Sequence, residues 1–396
     1  MSLDLNGKCN TAHVFTDNID SETISQIILL CNQEFAKDSN IRIMPDCHAG
    51  AGCVIGTTMT ITDKIVPNLV GVDIGCGMQA IKIKEHDIDL EKLDKVINER
   101  VPSGFSIHEI PVSKCLELKE LIAPYDHDYV SRSCGTLGGG NHFIELDIDS
   151  NGDYWLVIHS GSRKLGVSVC EYYQRAGYKK IKDDYQSIKI DATIAKLKAE
   201  GKQRDIENTI KILKMQAPDI PKDLAYVEGD LMADYLHDMK LAQYYAFDNR
   251  YYIGCAICSF MGWTPKDFID TKHNYIDMDN MILRKGAISA KEGELCIIPM
   301  NMRDGTLLCK GKGNPDWNYS APHGAGRILS RSQAMSSIKL DDFRNSMNGI
   351  YSSSVMESTL DEAPMVYKPM QEIMDCIKDT IEIIDILKPV YNFKAH

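Results

Sequence analysis

Histidine, cysteine and aspartate recur in this sequence inside glycine-rich turns that follow apolar runs. Asp46 and His48 lie in PDCHAGAGCVIG, Asp73 and Cys76 in GVDIGCGM, and Asn141 and His142 in GGGNHFIEL. His159 lies in IHSGSR, His273 in KHN and His323 in SAPHGAGR. Glycine lets a backbone bend sharply and approach a ligand closely, which suits such turns to carrying a site. A single histidine in such a place is ordinarily a hydrogen-bonded loop residue. Five of them together with an Asp-x-x-Cys point to a polynuclear metal site. Thiolate, imidazole and carboxylate suit Mn, Zn, Fe or Co, and a thiolate can bridge two ions; the spacing does not choose the metal.

The elements that must position these residues come in blocks. Up to about Ile148, short apolar runs such as CVIGTTMTI, LVGVDIGCGMQAIKI and FIELDI alternate with glycine turns, a strand-turn-strand signal. WLVIHSGSR reads as a strand ending in a turn, and about 170–217 as a charged helical insertion. GDLMADYLHDMKLAQYYAFDNRYYIGCAICSFM has apolar residues three and four apart and no proline, which predicts a long helix. Short strands return over about 284–308, and 317–350 mixes turns with a helix. The tail, PMQEIMDCIKDTIEIIDILKPVYNF, reads as an amphipathic helix followed by a short strand. Blocks of strands and helices, without regular βα units, predict an α+β fold of mixed and antiparallel sheets flanked by helices, one domain over 1–396. Neither G-x-x-x-x-G-K-[ST] nor a helix-opening G-x-G-x-x-G is present, so a nucleotide would bind by another arrangement.

Composition narrows the class. At 44% apolar and 25% charged, the 396 residues describe a globular chain able to bury a substantial core. The opening MSLDLNGKCN has no apolar secretory region and no run is long enough to span a membrane, so the expectation is a cytoplasmic protein with no membrane partner. Thirteen cysteines, an odd and scattered set, read as free thiols; Cys255 and Cys258 read as two buried small hydrophobes on an apolar run. The net charge of −12 argues against a general nucleic-acid coat. Yet between Met281 and Arg331 eight Lys or Arg face only four Asp or Glu, a local basic excess around the His323 turn.

At these same residues the sequence resembles the RtcB-type RNA-splicing ligases, in their shorter bacterial form. The likeness runs from PDCHAGAGCVIGTT to VYNFKA and includes VGVDIGCGM, GTLGGGNHFIE, IHSGSR, DMKLAQYYAFDNR, KGAISA and WNYSAPHGAGR. It implies a ligase that consumes GTP and uses two manganese ions. It would join RNA 3′-phosphate or 2′,3′-cyclic phosphate ends to 5′-hydroxyl ends, in splicing, transfer-RNA processing or repair. By position, Cys76 matches the bridging thiolate, Asp73 and His142 the further ligands of one ion, and His159 and His273 those of the other. His323 matches the histidine that attacks the α-phosphate of GTP and holds GMP, with Asp46 the acidic residue beside it. Asn141, Glu145, the His323-Gly324-Ala325-Gly326 turn and Lys394 match guanylate-binding positions. Longer members carry Ser where this chain has Asn301 and Thr306, so contacts on the guanine side are expected to differ. An activating protein partner is compatible with the resemblance and is not required by the sequence.

The implied chemistry is coherent on its own terms. A neutral histidine is a usable nucleophile, and a carboxylate can set its tautomer. Divalent ions polarise phosphoryl oxygens and neutralise developing charge. Arg163, Arg303, Lys310, Lys312 and Arg327 are candidate phosphate contacts. Two other readings share the same residues: a metal-dependent RNA-end phosphoesterase, which needs no histidine nucleophile, and a non-catalytic module that senses RNA ends.

Overall fold

The structure is a computed structural model that describes residues 2–112, 117–214 and 216–395. Two large sheets dominate. The first has six strands in the order Leu3–Asn6, Thr11–Val14, Ile41–His48, Ile55–Thr60, Ile282–Lys285 and Asn274–Asp277. The second has seven, in the order Pro265–Lys272, Gly77–Ile83, Tyr154–Ser160, Phe143–Ile148, Ile381–Lys394, Gly305–Gly311 and Leu295–Asn301. All neighbours pair antiparallel except Thr11–Val14 with Ile41–His48, which run parallel. The α+β expectation holds.

The seven-stranded sheet explains its own sequence. Ile144, Leu146, Leu156 and Ile158 point from one face into a cluster with Leu93 and Ile97 of the helix Leu90–Arg100 and Ile253 and Ile257 of the helix Asp230–Met261. Their alternates, Phe143, Trp155 and Val157, point the other way, as the period of two requires. There they meet Met78, Ile269, Ile297, Leu308 and Leu387, so every strand contributes to one inner cluster. The sheet curls until its outer strands touch: the Ile297 N–H donates to Thr271 Oγ1 at 3.2 Å. Burial on both faces is why these strands read as nearly continuous apolar runs.

The long helix Asp230–Met261 matches the expectation and ends where Gly262 takes a left-handed conformation, φ 75°. Cys258 is buried on it, but Cys255 is exposed, so only half of that pair is a core residue. The charged insertion begins earlier than its composition suggests. A single helix runs Arg163–Ala199, starting in the IHSGSR turn, and its first turns bury Leu165, Val169, Cys170 and Tyr173.

The tail departs from expectation. Helix is confined to Met370–Cys376, and Ile381–Lys394 is a 14-residue strand paired on both edges. The β-branched isoleucines of TIEIIDIL, spaced closely enough to suggest a helix, instead fill a ladder position between two waiting strands. Among the described residues no helix is long and apolar enough to cross a membrane.

Candidate metal and nucleotide site

Three histidines, one cysteine and one aspartate converge at the open end of the seven-stranded sheet. Cys76 precedes the strand Gly77–Ile83, His142 precedes Phe143–Ile148, His159 is the second-last residue of Tyr154–Ser160 and His273 follows Pro265–Lys272. Neighbouring strands therefore deliver their ends to one point. Cys76 Sγ lies 3.4 Å from His142 Nε2 and 3.4 Å from His159 Nε2. Asp73 Oδ2 is 3.1 Å from His142 Nε2. Asp73, Cys76 and His142 form one ligand group, and Cys76, His159 and His273 another, the atoms within each lying within 4.8 Å of one another. Cys76 belongs to both, which is the arrangement of a thiolate shared by two ions.

The donor set fits a metal by three further tests. Ligands about 2.3 Å (S) and 2.0–2.1 Å (N) from a tetrahedral ion sit roughly 3.5 Å apart, close to the sulfur–nitrogen separations here. The outer nitrogens are already committed: His142 Nδ1 donates to Leu137 O at 2.8 Å and His159 Nδ1 to Asn141 O at 3.2 Å. Each ring is thereby held with Nε2 facing inward. Buried His273 has an Nδ1 without a hydrogen-bond partner, as a nitrogen reserved for an ion would. Burial would raise the Asp73 carboxyl, but the His142 bond overrides it and holds the group at about 2. Burial and the Asp73 charge push the Cys76 thiol well up, and burial pushes His159 and His273 well down, so both rings are neutral.

The turns are held from behind by the long helix. Arg250, fully buried, donates to Gly75 O and Ser160 O at 2.9 Å each and pairs with Asp270 at 2.8 Å. Its neighbour Asn249 accepts from the Gly135 and Thr136 N–H groups and donates to Ser160 Oγ and Gly161 O. Asn249 and Arg250 of the sequence motif thus clamp three site loops. Gly161 is required by contact: a Cβ there would lie 2.1 Å from Asp73 Oδ1.

His323 stands beside this cluster, its ring centroid 4.8 Å from that of His273. Its Nδ1 is 2.7 Å from Asp46 Oδ2, and the same oxygen accepts the backbone N–H groups of His323 and Gly324 at 3.1 Å each. A carboxylate accepts, so in the neutral ring Nδ1 carries the proton and Nε2 the lone pair. Gly326, at φ 75°, packs so closely that a Cβ would lie 2.4 Å from Asp46 O. His48 Nδ1 contacts the Asp46 carbonyl at 3.1 Å.

A cavity of about 750 Å³ opens over His323 and His159. Asn141, Glu145, Asn301, Lys394 and the His323–Gly326 turn all line it, so the structure gathers these candidates in one place. Thr306 is the exception: it is wholly buried, its hydroxyl has no hydrogen-bond partner, and it does not line the cavity. Asn301 reaches the wall, but its amide is engaged with Asp304 at 2.8 Å in its own hairpin turn. Burial lifts the Glu145 carboxyl to about 7, against the nearby Lys394 charge and a hydrogen bond from Asn392.

The residue that sequence reasoning missed is Glu362. It is 2% exposed, accepts from Lys394 Nζ at 2.9 Å, Tyr367 Oη at 2.7 Å and Arg327 at 3.2 Å, and is ion-paired with Arg331 at 3.4 Å. All four partners line the cavity. No glycine or histidine marks STLDEAP, so nothing local signalled it. Most of the basic excess around His323 does not face the cavity. Arg284 is buried against Tyr275, Asp277 and Ser320, and buried Lys285 contacts Cys53 Sγ and Asn68 O at 2.8 Å each. Arg303 pairs with Asp304, while Lys312 donates to Lys378 O and lines a separate hollow. Arg163 braces the turn that carries it, donating to Thr136 Oγ1 and Gly104 O at 3.2 Å each. Of the eight basic residues only Arg327 and Arg331 reach the cavity.

Comparison with known proteins decides the family. A family model described as "tRNA-splicing ligase RtcB" matches residues 34–131 and 120–395. The chain belongs to the RtcB family. It is 30% identical to "RNA-splicing ligase RtcB1" of Escherichia coli strain ATCC 25922 and 29% identical to "RNA-splicing ligase RtcB" of strain K12. Each match covers 90% of this chain and 90% of the relative. "tRNA-splicing ligase RtcB" of Methanococcus maripaludis is 24% identical over 85% of this chain and 84% of that protein. The residues matched by the family model take in every residue of the site just described.

Proposed function

We propose that this RtcB-family protein is an RNA ligase that consumes GTP, uses two manganese ions, and joins 3′-phosphate or 2′,3′-cyclic phosphate ends to 5′-hydroxyl ends. The observation that carries the reading is the pair Asp46–His323, 2.7 Å apart, beside a thiolate-histidine metal cluster and at the wall of a nucleotide-sized cavity. A metal-dependent phosphoesterase needs the cluster but gives the aligned histidine nothing to do. The relatives' names, RNA-splicing and tRNA-splicing ligases, support the same class.

In this reading Asp73, Cys76 and His142 would hold one manganese ion and Cys76, His159 and His273 a second. The ions, when bound, would supply positive charge to phosphoryl oxygens. The chain does the rest. His323 Nε2 attacks the α-phosphorus of GTP; the new N–P bond forms as the bond to pyrophosphate breaks, and Asp46 stabilises the charge that develops on the ring. GMP then passes from nitrogen to an RNA 3′-phosphate oxygen, which regenerates His323. A 5′-hydroxyl attacks that activated phosphorus, GMP leaves, and the hydroxyl proton is lost. Glu145, Asn141, Lys394 and the His323–Gly326 turn hold guanylate, and Arg327 and Arg331 face its phosphates or the RNA end.

The test is direct. With Mn²⁺ and GTP labelled at the α-phosphate, the protein should acquire one acid-labile, base-stable GMP, and His323→Ala should acquire none. Labelling that survives in His323→Ala would remove this residue from the mechanism. Four RNA end combinations then test the joining step. Efficient joining of 3′-hydroxyl to 5′-phosphate ends would overturn the assignment.

A further inference from the structure

The largest basic excess in the molecule lies away from the site. Between Arg175 and Lys214 there are eleven Lys or Arg against six Asp or Glu, in a chain whose net charge is −12. This segment forms the distal part of the helix Arg163–Ala199 and the short helix Ile206–Leu213 packed back on it.

One flank of the long helix is basic and the opposite one is mixed. Lys182, Lys189 and Lys196 recur every seven residues and so share one flank, drifting only about 20° per step. Asp184 and Asp191 follow two positions later, about 200° round the axis, on the opposite flank, where Lys180 and Lys198 also lie. Lys189 and Lys196 are exposed and Lys182 half-buried. None of the three has a carboxylate within ion-pair distance among the described residues, whereas Lys202 and Lys211 are paired with Glu200 and Glu207. A flank that only needed charge for solubility would mix its signs, as the opposite flank does and as i to i+4 pairing favours.

The arm is also rigidly joined to the centre. Its first residue, Arg163, follows Ser162, whose N–H donates to Asp73 Oδ1 at 3.0 Å. At 1.5 Å per residue, Lys182 stands about 28 Å along the helix from Arg163 and Lys196 about 50 Å. Uninterrupted helix connects them.

We infer that the Lys182–Lys189–Lys196 flank of this helical arm is a second, sequence-independent RNA contact that grips the phosphate backbone of the substrate tens of ångströms from the end being joined. The inference rests on the RNA-ligase reading for the identity of the polyanion. It supplies what the cavity lacks: with only Arg327 and Arg331 of the eight basic residues around His323 lining the cavity, affinity for a long RNA comes from the arm. Few base-specific contacts are expected, since lysines on a helix flank meet phosphates as point charges.

Direct binding tests it without requiring ligation. Two 3′-phosphate RNAs are titrated by fluorescence anisotropy, one of about five nucleotides and one a stem-loop of about forty, against the full chain and a K182E/K189E/K196E variant. The variant should bind the stem-loop about tenfold or more weaker, with a salt dependence shallower by about two in log–log slope, and the short RNA within about twofold of normal. GMP-adduct formation, which needs no RNA, should be unchanged and reports that the fold is intact. The gentler lysine-to-glutamine triple should show the same ranking, and D184N/D191N should not weaken binding. Equal stem-loop affinity in wild type and variant overturns the proposal. So does an equal loss for both RNAs, which would indicate a diffuse field, or a changed oligomeric state with unchanged RNA affinity, which would give the flank to a second copy. Failure of wild type to form the GMP adduct falls on the ligase reading, and the anisotropy result still decides the arm.

Discussion

Asp46 Oδ2 sits 2.7 Å from His323 Nδ1 and also accepts two backbone N–H groups from the turn that carries the histidine. One carboxylate oxygen thereby fixes the tautomer, the ring and the turn together.

That relationship gives the first prediction. Asp46→Asn keeps the size but can present an amide N–H to Nδ1, which favours the wrong tautomer. Guanylylation should slow by about 100-fold or more, while far-ultraviolet circular dichroism stays unchanged. A rate within a few-fold of wild type, measured from the appearance of labelled adduct, would show that Asp46 does not govern the nucleophile.

The second concerns the shared sulfur. Because Cys76 belongs to both ligand groups, Cys76→Ala should lose both ions, whereas His273→Ala should chiefly weaken one. Elemental analysis after dialysis reads this directly; two ions retained by Cys76→Ala would rule out sharing. Mn²⁺ should restore activity to metal-stripped protein and Mg²⁺ should not, because Mg²⁺ prefers all-oxygen shells.

The third concerns Glu362, the carboxylate behind four cavity-lining groups. Burial would raise its pKa, but the charges of Lys394, Arg331 and Arg327 and the Tyr367 bond bring it below the ordinary value of 4.5. A depressed carboxylate contributes stability that is complete above pH 4.5 and is lost as acid carries the pH down through the folded value. Glu362→Gln should cost about 2–3 kcal/mol at pH 7, less at pH 4, and should raise the KM for GTP by loosening Lys394. Identical denaturation curves for both proteins at pH 7 would remove the hub from the energetics.

What could be read without the structure follows a physical line. Cys76, His142, His159, His273 and His323 were legible because reactive side chains in glycine turns stand out against polar loops. Thr306 was drawn in only through the family resemblance, and the structure buries it in a strand away from the cavity. Glu362, Asn249 and Arg250 were not legible as site residues, because a charged or amide side chain within helical sequence looks like a solvated face until its partners from distant loops are known. Arg284 and Lys285 misled in the same way: they look like exposed cations, yet both sides of their strand are buried. The tail failed for a different reason. Ile381, Ile384 and Ile386 fit a helix by spacing, and only the two free strand edges on either side decide for a ladder.

The last prediction weighs stability against function at Glu145. This carboxyl is 2% exposed, and burial raises it to about 7 from an ordinary 4.5, with Lys394 and Asn392 opposing. An acid whose folded pKa is raised favours the folded state below its unfolded pKa. That contribution is fully present below pH 4.5 and is lost as pH rises through about 7. At pH 8 the native protein therefore carries a buried negative charge that the unfolded chain would hold in water. Glu145→Gln removes the charge while keeping an oxygen for the Asn392 amide to donate to. Relative to wild type, the variant should gain stability with pH, on the order of 1–3 kcal/mol between pH 5 and pH 8. It should also use GTP poorly, since a carboxylate can accept two guanine N–H groups at once and an amide cannot replace both. Melting temperatures of the two proteins at pH 5, 6, 7 and 8 should diverge in the variant's favour. Parallel curves would mean that Glu145 is not strained by its burial, and that any loss of GTP use comes from contact alone.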